Sequence, residues 1–98
     1  MSMLLTGELF IGAHRVAAPG TFRARNPATG EALDPPFSEA RPEHIEAACA
    51  LAWQAFDTWR ETPPDLRATF LDTIAQEIME LGDALIGRAN AETGLPRA

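Results

Sequence analysis

The chain has 98 residues, room for one domain at most; a chain of this size buries about 60–70% of its unfolded surface. A composition of 46% hydrophobic and 22% charged residues excludes a disordered tail. The formal net charge of −6 lacks the basic footprint of a nucleic-acid binder.

The opening residues carry Leu4, Leu5, Leu9, Phe10 and Ile11, but Thr6, Gly7 and Glu8 interrupt them and no basic head precedes them, so a signal peptide is not expected. No stretch approaches the roughly 20 apolar residues of a membrane span. Glu8–Ile11 and Arg15–Ala17 read as short strands, closed by Gly12 and by Pro19-Gly20. Thr21–Arg25 alternates, with Phe22 and Ala24 on one face and Arg23 and Arg25 on the other. Residues 31–37 are expected to return as a weak partner strand, which Pro35 and Pro36 confine to an edge or to extended coil.

Between them lies Asn26-Pro27-Ala28-Thr29-Gly30-Glu31. Pro presets φ, Asn bonds its own backbone and Gly accepts positive φ, so the stretch predicts a tight turn. A phosphate-binding loop would need more glycines, usually a Lys, and a helix at once. Here two prolines follow instead.

From Pro42 the period changes. Ile45, Ala48, Cys49, Ala52, Phe56 and Trp59 recur at spacings of three and four and predict an amphipathic helix over 42–60, with Pro42 at its first position and Glu43 in its first turn. Thr62-Pro63-Pro64-Asp65 stops that helix and starts another over 64–81, whose stripe is Phe70, Ile74, Ile78 and Leu81. The short connection implies antiparallel packing, with Cys49, Ala52, Phe56, Phe70, Ile74 and Ile78 mutually close and buried. Gly82-Asp83 breaks or bends the helix, and a third piece is expected over 83–93. Thr93-Gly94-Leu95-Pro96 is a stop signal, with Gly94 in the left-handed cap and Leu95 over the last turn. Residues 1–30 hold Arg15, Arg23 and Arg25 against Glu8, while residues 31–98 carry a net −8, as solvated helix faces would.

No residue in this set forms a catalytic constellation. Cys49 sits mid-helix on the apolar stripe and reads as a small core residue rather than a nucleophile. His44 suits a surface or capping role, and His14 an exposed strand position. One cysteine and two distant histidines give neither a disulfide framework nor zinc-ligand spacing, and a reducing, cytoplasmic compartment fits. Asp72, Glu77 and Glu80 read as a solvated face rather than a carboxylate pair. Trp59 follows the core stripe; Trp53 borders it, and packing is its default, with an interface role as the alternative. Catalytic, cofactor-binding and metal-binding residues are therefore none in this stretch.

The order of the pieces carries more than any one of them. Gly7-Glu8-Leu9-Phe10-Ile11-Gly12, then Thr21 through Glu31, then Ala55-Phe56 and Trp59-Arg60, then Pro63 through Leu71, then Glu92-Thr93-Gly94-Leu95-Pro96 resemble the beginning of an aldehyde dehydrogenase. The resemblance covers nearly the whole chain. The loop at 13–20, the run at 31–37 and the ending at 92–96 are most similar to the branch that oxidises α-ketoglutarate semialdehyde (2,5-dioxovalerate) with NADP. Most of the family has Gly-Lys-Pro where this chain has Gly94-Leu95-Pro96, and often a Ser or Thr cap where it has Arg41.

The resemblance implies an α/β parent with a doubly wound cofactor domain, a catalytic domain and an oligomerising arm. Residues 1–98 would be the N-terminal part of the dinucleotide-binding domain, a β-hairpin region over 7–37 and a helical region over 42–94. The catalytic and oligomerisation regions would lie beyond. The parent would use NADP or NAD on a small aldehyde, form a homo-oligomer and touch neither nucleic acid nor membrane. This stretch would bind no cofactor alone; its partner would be the rest of its own polypeptide. A parent acting on another substrate, such as a fatty aldehyde, is the near alternative. A stand-alone acidic helical interaction module is the other. The ending, two residues past a helix stop, favours a piece of a longer protein.

Overall fold

The computed structural model describes residues 5–97; Leu4 of the opening apolar run and Ala98 lie outside the described residues. Strands β1 (Leu9–Ile11) and β2 (His14–Val16) form an antiparallel hairpin, with Leu9 opposite Val16 and Ile11 opposite His14. Its turn uses Gly12 at φ 60°, where a side chain would also collide with Leu51. A second antiparallel pair joins β3 (Thr21–Phe22) to β4 (Phe37–Ser38). The five-residue strand expected over 21–25 is thus cut to two residues plus an isolated bridge between Arg25 and Ala32. Pro35 and Pro36 have no N–H to give, so the ladder lapses opposite Arg23 and Ala24, although Leu33 N–H still reaches Ala24 O at 2.8 Å.

The Asn26–Glu31 turn forms as read. Asn26 Oδ1 accepts from Ala28 N–H at 2.9 Å and Thr29 N–H at 3.3 Å. Gly30 takes φ 79°, its N–H donating to Asn26 O at 2.7 Å.

Helix α1 spans Pro42–Arg60 and α2 spans Pro64–Thr93, with Glu61-Thr62-Pro63 between them. Inside α2, Gly82 departs from helical geometry at φ 55° and ψ −135°, so the expected break is a sharp bend between two helical halves. Gly94 caps the end at φ 72°, donating its N–H to Asn90 O at 2.8 Å. Leu95 does not cover the last turn. It is 65% exposed, and its carbonyl instead accepts from Asn90 Nδ2 at 2.7 Å.

The expected antiparallel helix pair is absent, and this is the main correction. The helices meet at their corner, where the Trp59 and Phe70 rings stand edge to face with centroids 5.1 Å apart, and they do not pack along their lengths. Phe56 is 57% exposed, Phe70 50%, Ile74 42% and Ile78 50%; Cys49 and Ala52 are exposed too. Apart from the first half of α2, each helical piece has another neighbour. Helix α1 leans on β1, where Leu9, Phe10 and Ile11 face Ala40, His44, Ile45 and Ala48. The second half of α2 is tied to the second hairpin region by Arg88, which donates to Asp34 O and lies 5.8 Å from the Phe37 ring centre. The first half of α2 touches neither. Among the described residues the only buried hydrophobic side chain is that of Ala18. The radius of gyration is 16.8 Å, against about 13 Å for a compact chain of this length.

Candidate functional site

His44 is the third residue of α1, and its Nδ1 accepts the Arg41 backbone N–H at 2.9 Å. It thereby does what Glu or Gln does in a capping box, and Arg41 needs no hydroxyl to serve as the cap residue. Arg41 Nε also donates to Glu43 Oε1 at 2.9 Å. The Glu43 carboxyl is held below its ordinary value, first by the hydrogen bond from its own backbone N–H, which outweighs the opposing effect of desolvation, and then by smaller contributions from Arg41 and His44. These are devices for starting a helix. His14 lies exposed on β2, and Asp72, Glu77 and Glu80 are exposed along α2. Among the described residues no three His, Cys, Asp or Glu side chains gather as a metal site would require.

Cys49 departs from its expected place in a core. It is exposed and lines, with Ala52, Trp53 and Phe56, an open apolar hollow of about 370 Å³ on α1. None of those neighbours is a base or a cation. Trp53 is 82% exposed and so does not pack within this segment. On α2, Phe70, Thr73, Ile74, Glu77, Ile78 and Leu81 line a second hollow of about 310 Å³. The two hollows are mostly apolar, with Thr73 and Glu77 the polar residues in the second.

Arg88 is the residue that pattern reading passed over. Its Nε pairs with Glu92 Oε2 at 2.9 Å, its Nη1 reaches Asp34 O, and its Nη2 is buried without a hydrogen-bond partner. Asp34 also pairs through its side chain with Arg23. The Arg88 and Glu92 spacing of four on a helix is visible in sequence; the reach to a residue 54 positions away is not.

The arrangement is thus one of short hairpins and helices with exposed apolar faces, and comparison shows its family. The family model described as the aldehyde dehydrogenase family matches residues 15–98. The chain belongs to the aldehyde dehydrogenase family. Over 98 aligned positions it is 55% identical to a protein of Azospirillum brasilense named alpha-ketoglutaric semialdehyde dehydrogenase 2, covering 98% of this chain and 19% of that protein. A protein named alpha-ketoglutaric semialdehyde dehydrogenase from Acinetobacter baylyi is 38% identical over 92% of this chain and 17% of its own length. The mitochondrial succinate-semialdehyde dehydrogenase of Rattus norvegicus is 31% identical over 95% of this chain and 18% of its own length. The chain therefore spans about a fifth of the length of these dehydrogenases. No solved structure matches it. Two antiparallel hairpin regions followed by two helices are the form this aldehyde dehydrogenase segment takes. Among the described residues no helix is long and apolar enough to cross a membrane.

Proposed function

We propose that these residues are the amino-terminal part of an enzyme that oxidises α-ketoglutarate semialdehyde to 2-oxoglutarate with NADP+, and that within it they form the opening of the dinucleotide-binding domain. The observation that carries the reading is 55% identity, over 98% of this chain, with a dehydrogenase named for that substrate. A second relative with the same named substrate adds to it. In such an enzyme a cysteine thiolate attacks the aldehyde, hydride passes to the nicotinamide, and water releases the acid from the thioester. Those groups belong to the remaining polypeptide; the 98 residues serve as scaffold. The parent is taken to be cytoplasmic and homo-oligomeric, with NAD as the alternative cofactor.

Steady-state kcat/KM on the full-length protein tests the reading, using α-ketoglutarate semialdehyde, succinate semialdehyde and a long-chain aldehyde, each with NADP+ and NAD+. A preference of about tenfold or more for the first substrate, equal to ~1.4 kcal/mol in transition-state binding, supports it. Equal or better turnover of a fatty aldehyde replaces it with the fatty-aldehyde alternative. The 98 residues alone should give no saturable change in Trp53 and Trp59 fluorescence on titration with micromolar NADP+.

A further inference from the structure

Two stretches that punctuate the chain, the turn over 26–31 and the stop at Thr93-Gly94-Leu95-Pro96, meet in space. A Cβ added at Gly94 would stand 3.3 Å from Pro27 Cγ, closer than the about 3.5–4.0 Å at which two carbons rest. Gly94 therefore answers to two constraints. The cap needs φ 72° and ψ 4°, which glycine takes freely and asparagine also takes. The Pro27 ring adds a demand that asparagine does not meet. Gly30 is the contrast: it holds φ 79° with nothing within 4 Å, so geometry alone selects it.

Both sides of this contact are stiff. The turn around Pro27 is closed by Asn26 N–H donating to Glu31 O at 2.9 Å and by Gly30 N–H donating to Asn26 O at 2.7 Å. At the helix end, Asn90 Nδ2 donates to Leu95 O at 2.7 Å and Leu95 N–H donates to Thr93 Oγ1 at 3.1 Å, beside the cap bond itself. A second tie runs alongside. Arg88, on the same half of α2, donates to Asp34 O, and the Asp34 side chain pairs with Arg23 on the facing stretch. Residues 27 and 34 on one side are thus joined to residues 94 and 88 on the other.

We infer that the second hairpin region and the second half of α2 open as one cooperative unit, clasped by Pro27 on Gly94 and by Arg88 on Asp34. A turn and a helix end that opened separately would each answer only to their own hydrogen bonds. Here a change at the helix end is felt in the turn, although the two are remote in sequence.

Amide hydrogen exchange on the full-length protein tests this through a double-mutant cycle, with each rate taken relative to the intrinsic rate of its own sequence. Gly94→Asn puts a residue that the cap accepts against Pro27, and Pro27→Ala removes the Cγ it would meet. Exchange is read at Asn26, Gly30 and Leu33, whose N–H groups all bond backbone carbonyls in the hairpin region, and at residues 90–94. Gly94→Asn should speed exchange at both places by at least about threefold. In the Pro27→Ala background its effect on the turn should fall to less than about half. An effect confined to residues 90–94, an equal effect in both backgrounds, or no effect at all overturns the inference. Arg88→Ala breaks the other tie without touching the turn. It should speed exchange at Asn26 and Gly30 as well as at Leu33, and a change at Leu33 alone also overturns the inference.

Discussion

Alanine should act in opposite directions at two glycines five residues apart in α2. Gly82 holds φ 55° and ψ −135°, a region that costs an L-residue about 1–3 kcal/mol. Lower entropy of the unfolded chain returns about 0.4–1 kcal/mol. No atom lies within 4 Å of where a Cβ would stand, so there is no steric contribution, and Gly82→Ala is expected to cost a net ~1–2 kcal/mol. Gly82→Asn should not rescue it, because Asn tolerates the left-handed region with ψ near about +45°, far from that held here. Gly87 is helical, and alanine there gains about 0.8–1 kcal/mol of propensity. Its Cβ would stand 3.2 Å from Arg97 Nη1, the far end of a flexible side chain that can move aside. Gly87→Ala is therefore expected to be neutral or stabilising. Amide hydrogen exchange over residues 83–93 of the full-length protein reads both, with exchange about 5–30-fold faster for Gly82→Ala and unchanged or slower for Gly87→Ala. Two substitutions moving exchange in the same direction would refute the reasoning, for then the backbone at 82 is not what holds the bend.

His44→Ala should loosen the first turn of α1 by about 0.5–2 kcal/mol while His44→Gln, which keeps an acceptor, should recover most of it, as exchange over 42–46 would report. Glu43 has its folded pKa below the ordinary value of 4.5, so its contribution is present above that value and lost as pH falls through the lowered one. Protection of the first-turn amides, taken relative to the intrinsic exchange rate at each pH, should fall on going from about pH 5 to about pH 3, and Glu43→Gln should flatten that dependence. Arg88→Lys keeps the charge but not the fork that serves Glu92 and Asp34 together, so it should cost ~1–3 kcal/mol and speed exchange at residues 33–38. If Lys proves equivalent, the tie to the second hairpin region is not made by the guanidinium.

Local chemistry was the legible part of this fold. The Asn26–Gly30 turn, the start at Pro42, the bend at Gly82 and the cap at Gly94 each follow from what one residue type does to its own backbone, and each stands where the residues place it. The strand over 21–25 was overdrawn because alternation reports which face a side chain takes, while a ladder also needs donors on the partner strand, and prolines at 35 and 36 withhold them. His44 as a cap acceptor was readable in outline, since it sits three residues after the cap, although capping boxes are usually read for Glu or Gln.

Packing is where periodicity ran out, for a physical reason. A stripe at 49, 52 and 56 states that a face will be buried; it carries no information about what buries it. Pairing it with the stripe at 70, 74 and 78 assumed that a short connection and two apolar faces suffice, which holds when both helices belong to a core that the chain itself completes. Here 46% of residues are hydrophobic while Phe56, Phe70, Ile74 and Ile78 are each about half exposed or more than two-fifths so. That mismatch is itself the functional information. Exposed apolar faces of that extent mark contact with other polypeptide, which fits a chain that spans about a fifth of the length of its relatives.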